Sequence, residues 1–273
     1  AHGIGHNINQ GAYAHAEVTN NYFSVLAQAK DDNSTVRFKY PEVFKKVTSG
    51  TEGAASNVFT QLGMYWQLHL AYDRDYNYKT YGTYDEIFDN LFFARVDSYA
   101  RDTSRAPKPG GVALTLNGGR EQNLMRLASA AAEKDLSEFF IRWGMRPDTE
   151  STAYMKQFEA EKRAIYYVDD TARVYEMEHA GGDTFTGKQV VTANASANNS
   201  QVTLTMTYTG GDPELLQGYE ITRVFVEGGE ERRETAGFTQ TDTFTDEAAF
   251  AANHVIHYEV TAIHNYLNRA DAC

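Results

Sequence analysis

Up to about residue 161, apolar residues recur at helical spacing between short polar breaks, which predicts a mostly helical region. Between residues 12 and 30, Val18, Tyr22 and Val25 lie three or four positions apart and so share one helix face. Ser56 and Asp135 are predicted N-caps, and the Pro- and Gly-rich run 106–111 is predicted to be a loop. Further helices are predicted over residues 41–47, 56–72, 84–102, 120–134, 135–143 and 152–161.

Beyond residue 161 the pattern changes to the alternation typical of β-strands. Residues 164–168 and 172–175 predict a short hairpin, and the Gly-rich run 180–183 predicts a linker. From residue 184 onward, apolar and polar residues alternate, which predicts an antiparallel β-sandwich. The clearest of these runs cover residues 202–208, 218–223 and 257–262. The predicted fold class is therefore α+β, a helical part followed by a sandwich.

The composition limits the class of protein. A chain of 273 residues is long enough for two domains, and its 42% hydrophobic content is that of a globular protein. The formal net charge of −12 argues against nucleic acid or an anionic membrane as a partner. Cys273 is the only cysteine, so no intrachain disulfide can form, and no run of about 20 apolar residues predicts a transmembrane segment. The 18 tyrosines fit either carbohydrate-facing surfaces or large helix interfaces.

The first residues contain a pattern suited to a metal. His2 and His6 are four positions apart, so on a helix their side chains project from one face. Both imidazoles can then reach one zinc ion, and Glu17 from the next helix can complete a site with three protein ligands and an open position for water. His15 competes with Glu17, but residues two positions apart on a helix point in different directions, so both cannot bind one ion. Histidines four apart also occur by chance as ordinary surface or core residues.

Gly3 departs from the pattern that the two histidines suggest. In the zinc peptidase signature His-Glu-x-x-His, the residue after the first histidine is the glutamate that activates water, and here it is Gly3. The sequence thus favours a metallopeptidase scaffold with impaired activity. Three explanations stay open: a deliberately inactivated variant, a natural pseudoenzyme that binds its target without cutting it, and an error in the sequence.

Five stretches of the chain together resemble the M60 (enhancin-like) peptidases, over roughly the first two thirds of its length. They are residues 2–7, 17–21, 64–73, 90–97 and 139–145. The resemblance implies a zincin-type (gluzincin) catalytic region over residues 1–180. It also implies secreted or bacterial cell-surface zinc enzymes that hydrolyse peptide bonds in mucin-like O-glycosylated proteins. Residues 184–273 resemble a fibronectin type III or Ig-like module, which is usually a spacer or a binding platform.

The M60 resemblance selects Glu17 rather than His15 as the third zinc ligand. Asn20 and Asn21 follow Glu17 by about one turn and are expected either to hydrogen-bond the metal ligands or to be helix-surface amides.

A group that steadies the developing oxyanion is also expected in such sites. Tyr65 and His69 are the candidates, since they lie one turn apart in a family-like helix, although a histidine among aromatic residues is often a core residue. Tyr13 lies near the proposed ligands in sequence. We favour a helix ion-pair network over a sugar-binding patch for the cluster of Arg95, Asp97 and Arg101.

The function predicted from the sequence is a Zn²⁺-dependent M60-type peptidase acting on mucin-type O-glycoproteins, with activity impaired by Gly3. The alternative is a non-catalytic, adhesin-like module that binds mucin or another glycoprotein. A structural domain with neither zinc nor ligand is the third possibility. Because the first residue already lies inside the motif, the chain is expected to be an excerpt of a longer protein.

Overall fold

The computed structural model describes residues 3, 6, 9–30, 37–73, 92–179, 191–198, 200–209, 211–249 and 255–273. The chain divides into two compact units, one of residues 1–47 and 51–169 and one of residues 48–50 and 170–273. The linker expected over residues 180–183 lies outside the described residues, as does the 84–91 part of a predicted helix. None of the described helices combines the length and the apolar content that a bilayer crossing requires.

The first unit is helical, as predicted. Asn57 rather than Ser56 caps the helix of residues 58–72, because its side chain accepts hydrogen bonds from the amides of Phe59 and Thr60. Leu136 rather than Asp135 is the N-cap of the helix of residues 137–142, although the Asp135 side chain accepts a hydrogen bond from Ser137 N at 2.9 Å. The helices are α1 (Ala16–Lys30), α2 (Tyr40–Thr48), α3 (Val58–Tyr72), α4 (Phe92–Arg101), α5 (Arg120–Ala132), α6 (Ser137–Arg142) and α7 (Thr149–Met155).

Helix α3 is the central element of this unit. Its residues 60–71 are all buried, which agrees with the apolar character of the whole segment rather than of one stripe. Gly63 lets α2 approach closely, since a Cβ there would lie 2.4 Å from Val43 Cγ2. Helices α1 and α4 both pack on α3. Helix α3 therefore supports α1, which carries candidate functional side chains.

The hairpin predicted over residues 164–175 is wrong. Ile165–Tyr167 is a 3₁₀ turn and Asp170–Glu178 is helix α8, which belongs to the second unit. The apolar run 164–168 predicts a strand, but all of its side chains are buried in the first unit and the segment pairs with no described strand. The fully buried Gln67 anchors it, because its Nε2 donates to Tyr166 O at 2.7 Å and its Oε1 accepts from Trp143 Nε1 at 3.1 Å.

The second unit contains two antiparallel three-stranded sheets, and the strands predicted over residues 202–208, 218–223 and 257–262 are confirmed. One sheet has the order β1-β2-β5 and the other β4-β3-β6. The terminal residues extend the second sheet, since Cys273 N donates to Val260 O at 2.9 Å and Val260 N donates to Cys273 O at 3.0 Å. The strands are β1 (Val191–Ala197), β2 (Val202–Tyr208), β3 (Leu216–Glu227), β4 (Glu230–Thr239), β5 (Thr243–Asp246) and β6 (Val255–His264).

Side chains from both sheets share one core. Leu204 from the first sheet belongs to the same buried cluster as Ile221 and Val260 from the second. A polar contact also joins the sheets. Arg223 on β3 donates from Nε and Nη2 to the two carboxylate oxygens of Asp246 on β5, each at 2.6 Å.

Candidate metal centre

The start of α1 positions Glu17. A tight turn precedes the helix, with the amides of Tyr13 and Ala14 both donating to Gln10 O. The His15 carbonyl then accepts from the amides of Val18 and Thr19 and so begins the helix. Glu17 lies in the first turn, where a carboxylate is favoured by the positive end of the helix dipole. Its side chain is 59% exposed, so a ligand can reach it from solvent.

The fold brings His6 to Glu17. His6 has helical backbone, and its Nε2 lies 3.6 Å from Glu17 Oε1. Two atoms that each lie about 2.1 Å from one tetrahedral zinc ion are about 3.4 Å apart. An imidazole nitrogen and a carboxylate oxygen at this spacing are thus a donor set that suits zinc. His2 lies outside the described residues, and among the residues that the structure does describe no three His, Cys, Asp or Glu side chains form a metal-binding group.

Gly3 also has helical backbone and is exposed. A Cβ built on Gly3 would meet no described heavy atom within 4 Å. Residues three apart on a helix are neighbours on its surface, so a side chain at position 3 would lie beside His6. As far as the described residues reach, position 3 can accept a longer side chain.

Asn20 and Asn21 are both buried, not helix-surface amides. Asn20 Oδ1 accepts a hydrogen bond from Asn9 Nδ2 at 2.7 Å. Asn21 Nδ2 donates to the main-chain oxygen of Glu17 at 2.8 Å, while its Oδ1 accepts from Arg37 Nη1 at 2.7 Å. These hydrogen bonds reach the backbone that carries Glu17, and they connect α1 to the segments before and after it.

Tyr65 is fully buried on α3, and its hydroxyl lies 3.0 Å from His15 Nδ1. Burial raises the pKa of Tyr65, with a smaller contribution from Glu121, so the phenol stays protonated near neutral pH. Burial also lowers the pKa of His15, against an opposing effect of Glu121. His15 thus contacts helix α3 through its Nδ1 atom.

His69 is fully buried on the same helix. Its Nδ1 lies 2.6 Å from Asp73 Oδ2, and its ring packs on Trp66 with centroids 4.5 Å apart. The other oxygen of Asp73 accepts a hydrogen bond from the backbone amide of Phe92. His69 and Asp73 consequently join the end of α3 to the start of α4.

A cavity of about 190 Å³ lies between α1 and α4, with Tyr65 of α3 in its lining. Its polar wall contains Asn9, Tyr13 and Asp97, and the Tyr13 hydroxyl donates a hydrogen bond to Asp97 Oδ1. Asp97 thus has a hydrogen bond to a tyrosine 84 positions away, in addition to the charge of Arg101, which opposes the rise in its pKa caused by burial. The sequence alone does not predict the roles of Asn9 or of the Tyr13–Asp97 pair, because neither periodicity nor a motif connects segments so far apart.

The family follows from comparison with known proteins. The family model for peptidase M60, enhancin and enhancin-like proteins matches residues 1–144, more than half of the chain. The chain belongs to the M60 peptidase family. The resemblance found in the sequence is thereby confirmed, and membership implies a metal ion, typically zinc. No curated protein sequence matches the chain.

Solved structures of M60 catalytic domains share the fold of this M60 chain. It is similar over 100% of its length to the ZmpB metallopeptidase from Clostridium perfringens, covering 48% of that chain with 24% identity and a TM-score of 0.65. The M60 catalytic domain of ZmpC from the same organism, solved in complex with the sialyl T antigen, gives 26% identity and a TM-score of 0.62 over 100% of this chain and 48% of that one. This M60 chain spans about half the length of these solved chains.

Proposed function

We propose that this M60 chain is a zinc metallopeptidase scaffold whose metal is held by His2, His6 and Glu17. The observation that supports it most directly is the 3.6 Å approach of His6 Nε2 to Glu17 Oε1, because it joins two exposed donors from separate segments. Zinc bound there would polarise a peptide carbonyl and lower the pKa of a bound water.

The chain's own residues determine how well hydrolysis proceeds. Position 3 is where a general base would take the proton from water, and Gly3 has no group to accept it. Losing that base lowers the rate by about 10²- to 10⁴-fold, so we propose that activity is impaired. The sequence predicts Tyr65 and His69 as oxyanion-stabilising residues, but we propose that neither contacts the oxyanion directly. Their complete burial favours a role exerted through His15 and Asp73.

The proposed substrates are mucin-type O-glycosylated proteins. The ZmpC catalytic domain was solved with the sialyl T antigen, a glycan, and it shares 26% identity with this chain. The net charge of −12 and the 13% aromatic content also suit a carbohydrate-bearing partner better than a nucleic acid. Such substrates place the protein outside the cell, secreted or on a bacterial surface.

A second candidate function, binding of a mucin-type glycoprotein without cleavage, is favoured by Gly3 itself. A chain that keeps the fold but lacks the carboxylate at position 3 retains its glycan-facing surface and loses the proton acceptor. Cleavage of an O-glycosylated peptide separates the two candidates, since a binding module retains the peptide intact.

We further propose that residues 1–180 are the M60 catalytic region and that residues 184–273 form a fibronectin type III-like module. The strand orders β1-β2-β5 and β4-β3-β6, with the C-terminal residues bonded to β6, support this topology. Such a module acts as a spacer or binding platform, which agrees with the absence of any proposed ligand from this part of the chain.

Measuring bound zinc per chain tests the proposal. We expect one zinc ion per folded chain, lost in His6→Ala and kept in His179→Ala, which removes an exposed histidine of the second unit. Circular dichroism of each variant shows that the fold is retained. A folded protein that binds no zinc, or that keeps it in His6→Ala, would refute the metal site and leave glycoprotein binding as the function to test.

A further inference from the structure

The cavity between α1 and α4 is separate from the candidate metal centre. Thr19, Tyr22 and Leu26 line it at positions i, i+3 and i+7, which share one face of α1. Glu17 is two positions before Thr19, so it projects about 200° away around the helix. A group in the cavity therefore meets the opposite side of α1 from the metal ligand.

Most of the cavity wall is aromatic. Tyr22 and Phe93 have ring centroids 4.7 Å apart, and Tyr65 stacks on Phe93 at 5.5 Å. Phe23 completes this group of rings beside Leu26 and Ala94. A cavity of about 150 Å³ is large enough for benzene, so 190 Å³ holds a small organic group. The negative faces of aromatic rings attract cations.

Asp97 places one carboxylate against these rings. Its Oδ1 accepts from the neutral Tyr13 hydroxyl, and among the described residues it forms no ion pair. Among the described residues, no lysine or arginine lines the cavity. Burial raises the pKa of Asp97, which the Tyr13 hydrogen bond and the more distant charge of Arg101 offset only in part. A cation that entered the cavity would add a positive charge next to this carboxylate.

We propose that this cavity binds a compact organic ammonium group, such as an alkylamine or the end of a lysine side chain. The Asp97 carboxylate pairs with the ammonium, and the rings of Tyr22, Tyr65 and Phe93 surround its alkyl part. The site requires neither zinc nor peptidase activity, so it stands or falls independently of the proposed function.

Titration of the whole chain with n-butylammonium chloride, followed by ¹H–¹⁵N NMR, tests the site. A ligand of this size is expected to bind with a Kd of about 1 mM, shifting the amides of Ala94 and Asp97. 1-Butanol, the neutral analogue, is expected to bind at least tenfold more weakly. Equal binding of the two compounds, or no saturable shift with n-butylammonium, would overturn the proposal.

Two variants locate the binding. Asp97→Asn keeps an oxygen that accepts from Tyr13 and should weaken binding at least tenfold, whereas Asp102→Asn removes an equal charge from the exposed surface and should leave the Kd unchanged. Ala94→Leu fills the cavity with the carboxylate intact and should also abolish binding. Unchanged binding in Ala94→Leu would refute the location even if Asp97→Asn failed to fold.

Discussion

Replacing Gly3 by glutamate is expected to raise peptidase activity. The position is exposed and helical, and no described atom lies within 4 Å of a Cβ built there, so the new side chain meets no clash with the described residues. It would project beside His6, whose Nε2 is 3.6 Å from Glu17 Oε1. The added carboxylate can therefore reach water held next to this pair.

The size of the effect follows from the role of a general base. A positioned base contributes about 10²- to 10⁴-fold to the rate, which is about 3 to 5 kcal/mol of activation free energy. Helix propensity changes in the same direction, because Glu is better than Gly by about 0.5 kcal/mol at an exposed helical position. Gly3→Glu should thus increase kcat by at least 100-fold without lowering stability.

Cleavage of an O-glycosylated peptide, followed by mass spectrometry on zinc-loaded protein, measures this gain. Gly3→Gln is the matched control, since it has nearly the same size and no carboxylate, and it should stay at the level of the Gly3 protein. Adding His6→Ala to Gly3→Glu should remove the gain. If Gly3→Glu is folded, binds one zinc per chain and still cleaves no faster, position 3 does not supply the base.

The other predictions concern contacts within each of the two units. Asp246→Asn removes the charge that Arg223 pairs with at 2.6 Å and should lower the free energy of unfolding by about 2–3 kcal/mol in urea titrations; a loss below 0.5 kcal/mol would contradict it. Burial raises the pKa of Asp246, but hydrogen bonds from Arg223 and Tyr258 outweigh burial and leave that pKa below its ordinary 3.8. The stabilisation is therefore complete above the unfolded-state pKa near 3.8, and it is lost as pH falls through the lower folded-state pKa. The urea midpoint of the parent chain should show this loss, and the midpoint of Asp246→Asn should not. Tyr65→Phe breaks the 3.0 Å contact with His15 and should cost about 1 kcal/mol of stability. In the Gly3→Glu background, the same change should alter kcat by less than about tenfold. A fall of about 100-fold in kcat would instead show that the phenol acts in the transition state.

The local pattern of the sequence contains much of the fold. Spacing of three and four along residues 16–30 predicts α1, because a helix aligns those positions on one face. Alternation over residues 202–208 predicts β2 for the same kind of reason, since a strand alternates its side chains between two faces. The His2–His6 spacing and the M60-like stretches likewise point to the family.

Packing overrode the local pattern where a segment is buried on all sides. The apolar residues 165–168 look like a strand, yet Gln67 and the segment's own 3₁₀ turn provide the backbone hydrogen bonds that a neighbouring strand would have supplied. His69 is similar, because its sequence neighbours cannot show that its ring nitrogen faces Asp73 inside the unit.

The sequence by itself determined most of the helices and strands, and which residue types are present to bind a metal. Only the tertiary structure decided that His6 meets Glu17 across 11 positions and that Tyr13 meets Asp97 across 84. Periodicity fixes which face of an element a side chain occupies. Which faces then meet depends on how helices pack around α3, and no local stretch of sequence contains that information.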